Sequence, residues 1–194
     1  MKLNLDIRSP SKPEWLNLVL EQFDDFLKDH ADCERKASAM AMSLVAKYPD
    51  RILIHEDLID TAIEELEHFK MVYQLMRNRG IEMPHKITED PYIKKLVACL
   101  HSGRNERFLD HLLVGSVFET RGAERFKLIE GGLNDPEYKK FYKMLWTSEA
   151  KHGHIYIKMA LHYFPEEKVY SRLNFWLDLE AEVIDGLELR PALH

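Results

Sequence analysis

At 194 residues the chain can bury one substantial core but is too short for two ordinary domains, so a single domain over residues 1–194 is expected. Hydrophobic residues make up 45%, yet no apolar run approaches the ~20 residues a bilayer-spanning helix needs, which argues against a membrane span. A net charge of -6 gives no global pull toward nucleic acid, the polar start (residues 1–6) lacks a signal-peptide core, and Cys33 and Cys99 have no Cys-x-x-Cys spacing for a disulfide framework, zinc or rubredoxin-type iron; a cytoplasmic location is the expectation.

In chain order, Ser11-Lys12-Pro13-Glu14 reads as a capping box opening a helix through Trp15, Leu18, Val19, Phe23 and Phe26. A second helix is expected over 31–46, broken by Tyr48-Pro49-Asp50-Arg51. A third follows over 53–79 with Gly80 as its stop. A loop with Pro84 and Pro91 leads to a short helix over 92–101 that ends at Gly103. The pattern over 105–130, closed by Gly131-Gly132, pairs with another over 136–164. After Pro165 a last amphipathic helix carries Val169, Leu173, Trp176, Val183 and Leu187. No convincing strand alternation occurs, so the class is all-α with two helical hairpins.

The chemistry lies in two strings, Glu65-Leu66-Glu67-His68 and Glu149-Ala150-Lys151-His152. Each puts a carboxylate and an imidazole one helical turn apart, on one side of a helix. Glu34 precedes Glu65 by 31 residues and Glu119 precedes Glu149 by 30, with midpoints in the Pro49-Asp50 turn and at Asn134. Residues equidistant from an antiparallel turn face each other, so each hairpin pairs a lone Glu with a Glu-x-x-His, the di-metal carboxylate pattern. Periodicity agrees. Leu58, Ala62, Glu65, Phe69, Val72 and Met76 form one stripe, and Glu119, Glu149 and Glu34 likewise interrupt apolar seams. Four carboxylates turned into a core demand neutralisation, which two divalent ions provide; iron is the natural candidate, and manganese fits the same ligands.

Other positions are set aside. Glu124 lies ~500° around the helix from Glu119 and points away from its stripe. Glu82-Met83-Pro84-His85 is interrupted by proline and reads as loop. His30, His55, His101, His111, His154 and His162 show no partner pattern and read as surface or packing residues, and Tyr156 on the ligand stripe stays unassigned. Ala37, Ala41, Gly115 and Gly122 near the ligands leave room for a substrate or simply allow close packing. From the residues alone, a rubrerythrin-like peroxidase, another di-iron oxidase on a small molecule, iron storage in a ferritin-like cage and a purely structural bundle remain open.

The strings His30-Ala31-Asp32-Cys33-Glu34-Arg35-Lys36-Ala37, Glu64-Glu65-Leu66-Glu67-His68, Phe118-Glu119-Thr120-Arg121-Gly122-Ala123-Glu124-Arg125-Phe126 and Ser148-Glu149-Ala150-Lys151-His152 resemble the MiaE family of tRNA hydroxylases, in the same order over residues 14–190. The resemblance implies a ferritin-like four-helix bundle with additional N-terminal, connecting and C-terminal helices. It also implies a non-haem di-iron monooxygenase that uses dioxygen to hydroxylate the isopentenyl group of 2-methylthio-isopentenyl-adenosine in tRNA. Its iron ligands carry over as Glu34, Glu65, His68, Glu119, Glu149 and His152, the set the periodicity selects. Gly122-Ala123 departs from the Ser-Cys expected there, a change that touches the pocket or its rim. Hydroxylation needs external electrons, and no Gly-x-Gly-x-x-Gly turn or cysteine cluster marks a built-in carrier, so a separate electron-transfer protein is expected. Lys94, Lys95, Arg104, Arg107, Lys139, Lys140 and Lys143 are the candidates for docking prenylated tRNA.

Overall fold

Proline, acidic caps and glycine stops divide the chain into the helices of a computed structural model that describes residues 5–84 and 89–194. Residues 1–4, and His85 of the third Glu-x-x-His string, lie outside the described residues. The helices are α1 (Pro13–Glu21), α2 (Phe23–Lys47), α3 (His55–Asn78, after a 3-10 turn at Ile52–Ile54), α4 (Pro91–Val97), α5 (Arg104–Gly132), α6 (Pro136–Leu161) and α7 (Glu166–Asp185). No strand occurs among the described residues, in keeping with the all-α reading.

Caps explain three of the boundaries. The Asp90 side chain accepts from Tyr92 N–H at 2.9 Å and that of Asp135 from Glu137 N–H at 2.8 Å, each followed by proline at the first helical position. After α3, Gly80 takes φ +72, which lets Ile81 N–H turn back to the Met76 carbonyl at 2.9 Å.

Two local expectations are corrected. Phe23 and Phe26 belong to α2, because the chain breaks at Gln22 (φ -114, ψ 46) and α2 starts well before residue 31. Apolar spacing runs unbroken through the kink, and i to i-4 bonds flank it (Gln22 N–H to Leu18 O, Phe26 N–H to Gln22 O), so periodicity alone misses it. Ser11 does not close a capping box with Glu14. Its N–H and hydroxyl both donate to the Glu124 carboxylate on α5, each at 2.8 Å, and α1 opens at Pro13.

The helices group into two compact units, one of residues 1–16, 89–188 and 194, the other of residues 17–88 and 189–193. In the second, α2 and α3 form a hairpin whose buried residues include Phe26, Leu27, Leu44, Leu58, Val72 and Met76. Ser38 Oγ donates to the Ala62 carbonyl at 2.7 Å and ties the helices at mid-length.

In the first unit, α5 and α6 form the corresponding hairpin and α7 packs on α5. Asp110 on α5 is fully buried and accepts from Arg172 Nε (2.6 Å) and Trp176 Nε1 (3.1 Å) on α7 and from His101 N–H (2.8 Å). Burial alone would raise its pKa, but hydrogen bonds from Arg172, His101 N–H and Trp176 and the Arg172 charge hold it below the ordinary value. Two residues past Glu119, Arg121 makes a buried two-pronged pair with Glu180 of α7 (Nε 2.7 Å, Nη2 2.9 Å). Burial and the Glu180 charge push the neighbouring Tyr92 phenol well above its usual range. Burial and the Arg121 charge bring Arg125 down to about 10.

Candidate metal centre

The α2–α3 hairpin gathers Glu34, Glu65 and His68, all buried, with one ligand atom of each within 4.8 Å of the others. His68 Nδ1 lies 3.4 Å from Glu65 Oε2 and 3.7 Å from Glu34 Oε2. Because Glu65 and His68 are three residues apart on α3, they share a side of the helix, and the hairpin supplies Glu34 from the facing one. Glu64 and Glu67 stay exposed on the outer side of the same helix.

The α5–α6 hairpin gathers Glu119, Glu149 and His152 in the same manner, with ligand atoms within 4.8 Å and no residue more than 7% exposed. His152 Nδ1 is 3.5 Å from Glu149 Oε2. This hairpin is held by close backbone approach. Ser116 Oγ donates to the Gly153 carbonyl at 2.8 Å and Thr120 Oγ1 to the Ser116 carbonyl at 2.7 Å. A Cβ on Gly153, the residue after His152, would meet Thr120 Oγ1 at 3.0 Å and the Ser116 carbonyl at 3.3 Å. Gly122 is less confined: a Cβ there would stand 4.0 Å from Glu149 Cγ, an ordinary contact.

Sequence reasoning missed His30. It is no surface or simple packing residue: it is fully buried, and its Nε2–H donates to Glu34 Oε1 at 2.7 Å from one turn earlier on α2. The i, i+4 spacing of His30 and Glu34 was the available signal. His101 has a partner as well, with its Nδ1 2.8 Å from Asp110 Oδ2. His55 Nε2 donates to the Tyr48 carbonyl at 3.2 Å, while His154 and His162 are exposed. Glu124 is taken up by Ser11 and by Arg121 Nη1 (3.2 Å). Tyr156 is buried on α6, and Lys94, Lys95, Arg104, Arg107, Lys139, Lys140 and Lys143 are all exposed.

An all-helical chain in which two hairpins each carry a buried Glu and a buried Glu-x-x-His is of the ferritin-like oxygenase class, and its donor set is compatible with a di-iron site. The solved structure of "Protein 43 with aldehyde deformylating oxygenase activity" from Synechococcus superposes with a TM-score of 0.91 at 30% identity, covering 97% of this chain and 94% of that one. The chain belongs to the MiaE family: the family model described as tRNA-(MS[2]IO[6]A)-hydroxylase (MiaE) matches residues 3–194. Among curated relatives, the tRNA 2-(methylsulfanyl)-N(6)-isopentenyladenosine(37) hydroxylase of Pseudomonas putida KT2440 is 30% identical over 95% of this chain and 89% of its own length. The protein of the same name from Salmonella typhimurium LT2 is 26% identical over 81% and 75%.

Proposed function

We propose that this protein is an oxygen-dependent tRNA hydroxylase in which Glu34, Glu65, His68, Glu119, Glu149 and His152 together hold two iron ions. Its substrate is the isopentenyl group of 2-methylthio-isopentenyl-adenosine. The observation that carries the reading is the repeated donor set, one Glu and one Glu-x-x-His buried in each hairpin. The family and the names of the curated relatives support it.

The residues fit the metals. Four carboxylates and two imidazoles make an oxygen-rich set suited to iron or manganese, not to the thiolate-bound metals. An isolated buried carboxylate costs several kcal/mol even after relaxation, and two divalent ions offset four such charges. Bound there, the metal pair supplies the activation of dioxygen and the insertion of oxygen into an allylic C–H bond.

The protein's part is to orient and to exclude water. His30 Nε2–H fixes one oxygen of Glu34, leaving Oε2 on the His68 side. Burial of all six ligand residues keeps bulk water off the metals. The exposed basic residues of α4, α5 and α6, among them Lys94 in an exposed pair with Glu89 at 2.8 Å, are the candidates for phosphate contact, and the target base, which lies in a loop, is splayed out without melting a duplex. Electrons come from a separate electron-transfer protein, and the tRNA substrate places the reaction in the cytoplasm. No helix among the described residues is long and apolar enough to cross a membrane.

The superposition on a protein with aldehyde deformylating oxygenase activity favours a second reading, deformylation of an aldehyde at the same metals. One experiment separates the two. The iron-loaded, chemically reduced protein is given prenylated tRNA or an aldehyde in air, with metal content measured alongside. A one-oxygen gain on the prenylated nucleoside by mass spectrometry, absent with Glu149→Ala, is the expected result. Aldehyde turnover with unchanged tRNA would overturn the tRNA reading, and a protein that takes up no iron would overturn both.

A further inference from the structure

Helix α3 carries two apolar seams, although an amphipathic helix packed on one core needs only one. The inward seam is Leu58, Ala62, Glu65, Val72 and Met76, all buried. The outward one is Ile59, Ile63, Leu66 and Tyr73, with Ile63 and Leu66 52% and 54% exposed. Continued through Lys70 and Arg77, its spacing alternates four and three residues, the period of a two-helix seam. Isolated exposed apolar residues are ordinary, but Ile59, Ile63 and Leu66 in an unbroken row over two turns, with Tyr73 beyond Lys70 on the same seam, mark an interaction surface.

We propose that this face docks a second copy of the chain, with the two α3 helices antiparallel about Ile63 and Leu66. Charge chooses the occupant and the direction. Exposed Glu56, Asp60, Glu64 and Glu67 fill the first part of α3, and exposed Lys70 and Arg77 the last. A parallel pair would stack acid on acid. Antiparallel pairing about Ile63 and Leu66 sets each Lys70 beside the other copy's Asp60, and a two-fold axis requires that kind of self-complementary surface. The acidic flank repels a nucleic-acid backbone, so tRNA does not bind here.

Sedimentation of the full chain from micromolar to hundred-micromolar concentration tests the proposal. The mass is expected to rise from 22.9 kDa toward twice that value. Ile63→Glu with Leu66→Glu holds it at the monomer with helicity by circular dichroism unchanged. Lys70→Glu weakens association about tenfold, and adding Asp60→Lys in the same chain restores it, because both partners then carry the swapped pair. Three results would each overturn the proposal: a monomer throughout the range, a dimer indifferent to Ile63→Glu with Leu66→Glu, or a Lys70→Glu defect that Asp60→Lys fails to rescue.

Discussion

The α2–α3 and α5–α6 hairpins arrive at the same three-residue donor set by different supports. In α2–α3 the support is polar: His30 donates to Glu34 from the preceding turn at 2.7 Å. In α5–α6 a close approach joins a hydrogen bond: Ser116 Oγ donates to the Gly153 carbonyl at 2.8 Å, and Gly153 itself leaves no room for a methyl group without a shift of Thr120 or the Ser116 carbonyl. The difference teaches that Glu plus Glu-x-x-His specifies which atoms meet, while separate residues set how firmly each set is held. A hydrogen bond tunes one carboxylate; a missing side chain tunes the spacing of two helices.

The widest test treats the halves alike. Glu65→Ala and Glu149→Ala each remove one proposed metal ligand, and both are expected to cut bound iron to one ion or fewer per chain and abolish hydroxylation, as read by elemental analysis and nucleoside mass spectrometry. Unequal loss between them would make one metal position dependent on the other. His30→Ala probes only the polar support and is expected to lower metal affinity roughly 10- to 100-fold, with His30→Gln recovering part of it; competition with a chelator reads the change. Gly153→Ala probes only the steric support. Its Cβ, 3.0 Å from Thr120 Oγ1 and 3.3 Å from the Ser116 carbonyl, is expected to cost about 1–3 kcal/mol in thermal or urea unfolding. Gly131→Ala, where nothing lies within 4 Å, serves as the neutral or slightly stabilising control.

Acid gives the smallest effect and separates the units by burial. Asp110 has a depressed pKa, so its contribution to stability is complete above the unfolded carboxylate value near 3.8 and fades as pH falls through the folded one. Asp110→Asn is therefore expected to lower the melting temperature at neutral pH, with the gap to wild type closing below about pH 4. Asp32 of α2 is also depressed, burial being opposed by hydrogen bonds from Lys36 and Arg35, but Lys36 and Arg35 are more than a third exposed and solvent screens the pairs. Asp32→Asn should move the same curve less.

The sequence made the helical hairpins and the six candidate ligands legible because both depend on near-neighbour spacing: turn residues, glycine stops, and carboxylates interrupting a seam. The kink at Gln22 escaped because apolar positions keep their rhythm across it. Ser11 was misread because its partner, Glu124, lies 113 residues away. The same holds for Arg121–Glu180 and Arg172–Asp110, with separations of 59 and 62, where nothing local distinguishes a buried charge from a solvated one. His30 is the instructive exception. Its partner sits four residues on, at the same one-turn separation as the Glu-x-x-His pairs but with the imidazole ahead of the carboxylate.

The Arg121–Glu180 pair bears on Glu119 through rotation. Two residues further along α5, Arg121 projects ~200° around the helix from Glu119, so the two side chains leave nearly opposite sides of one rod. Gripped by both prongs of Glu180 and by the Ser9 carbonyl at 2.8 Å, Arg121 stops α5 from rolling about its own axis. A roll of only ~20° would sweep a side-chain tip ~5–6 Å from the helix axis, such as the Glu119 carboxylate, sideways by ~2 Å. An apolar pair could pack in that place as stably, but it would slide. The buried charges act as a rotational detent that sets the angle at which the Glu119 carboxylate, on the far side of the helix, is aimed.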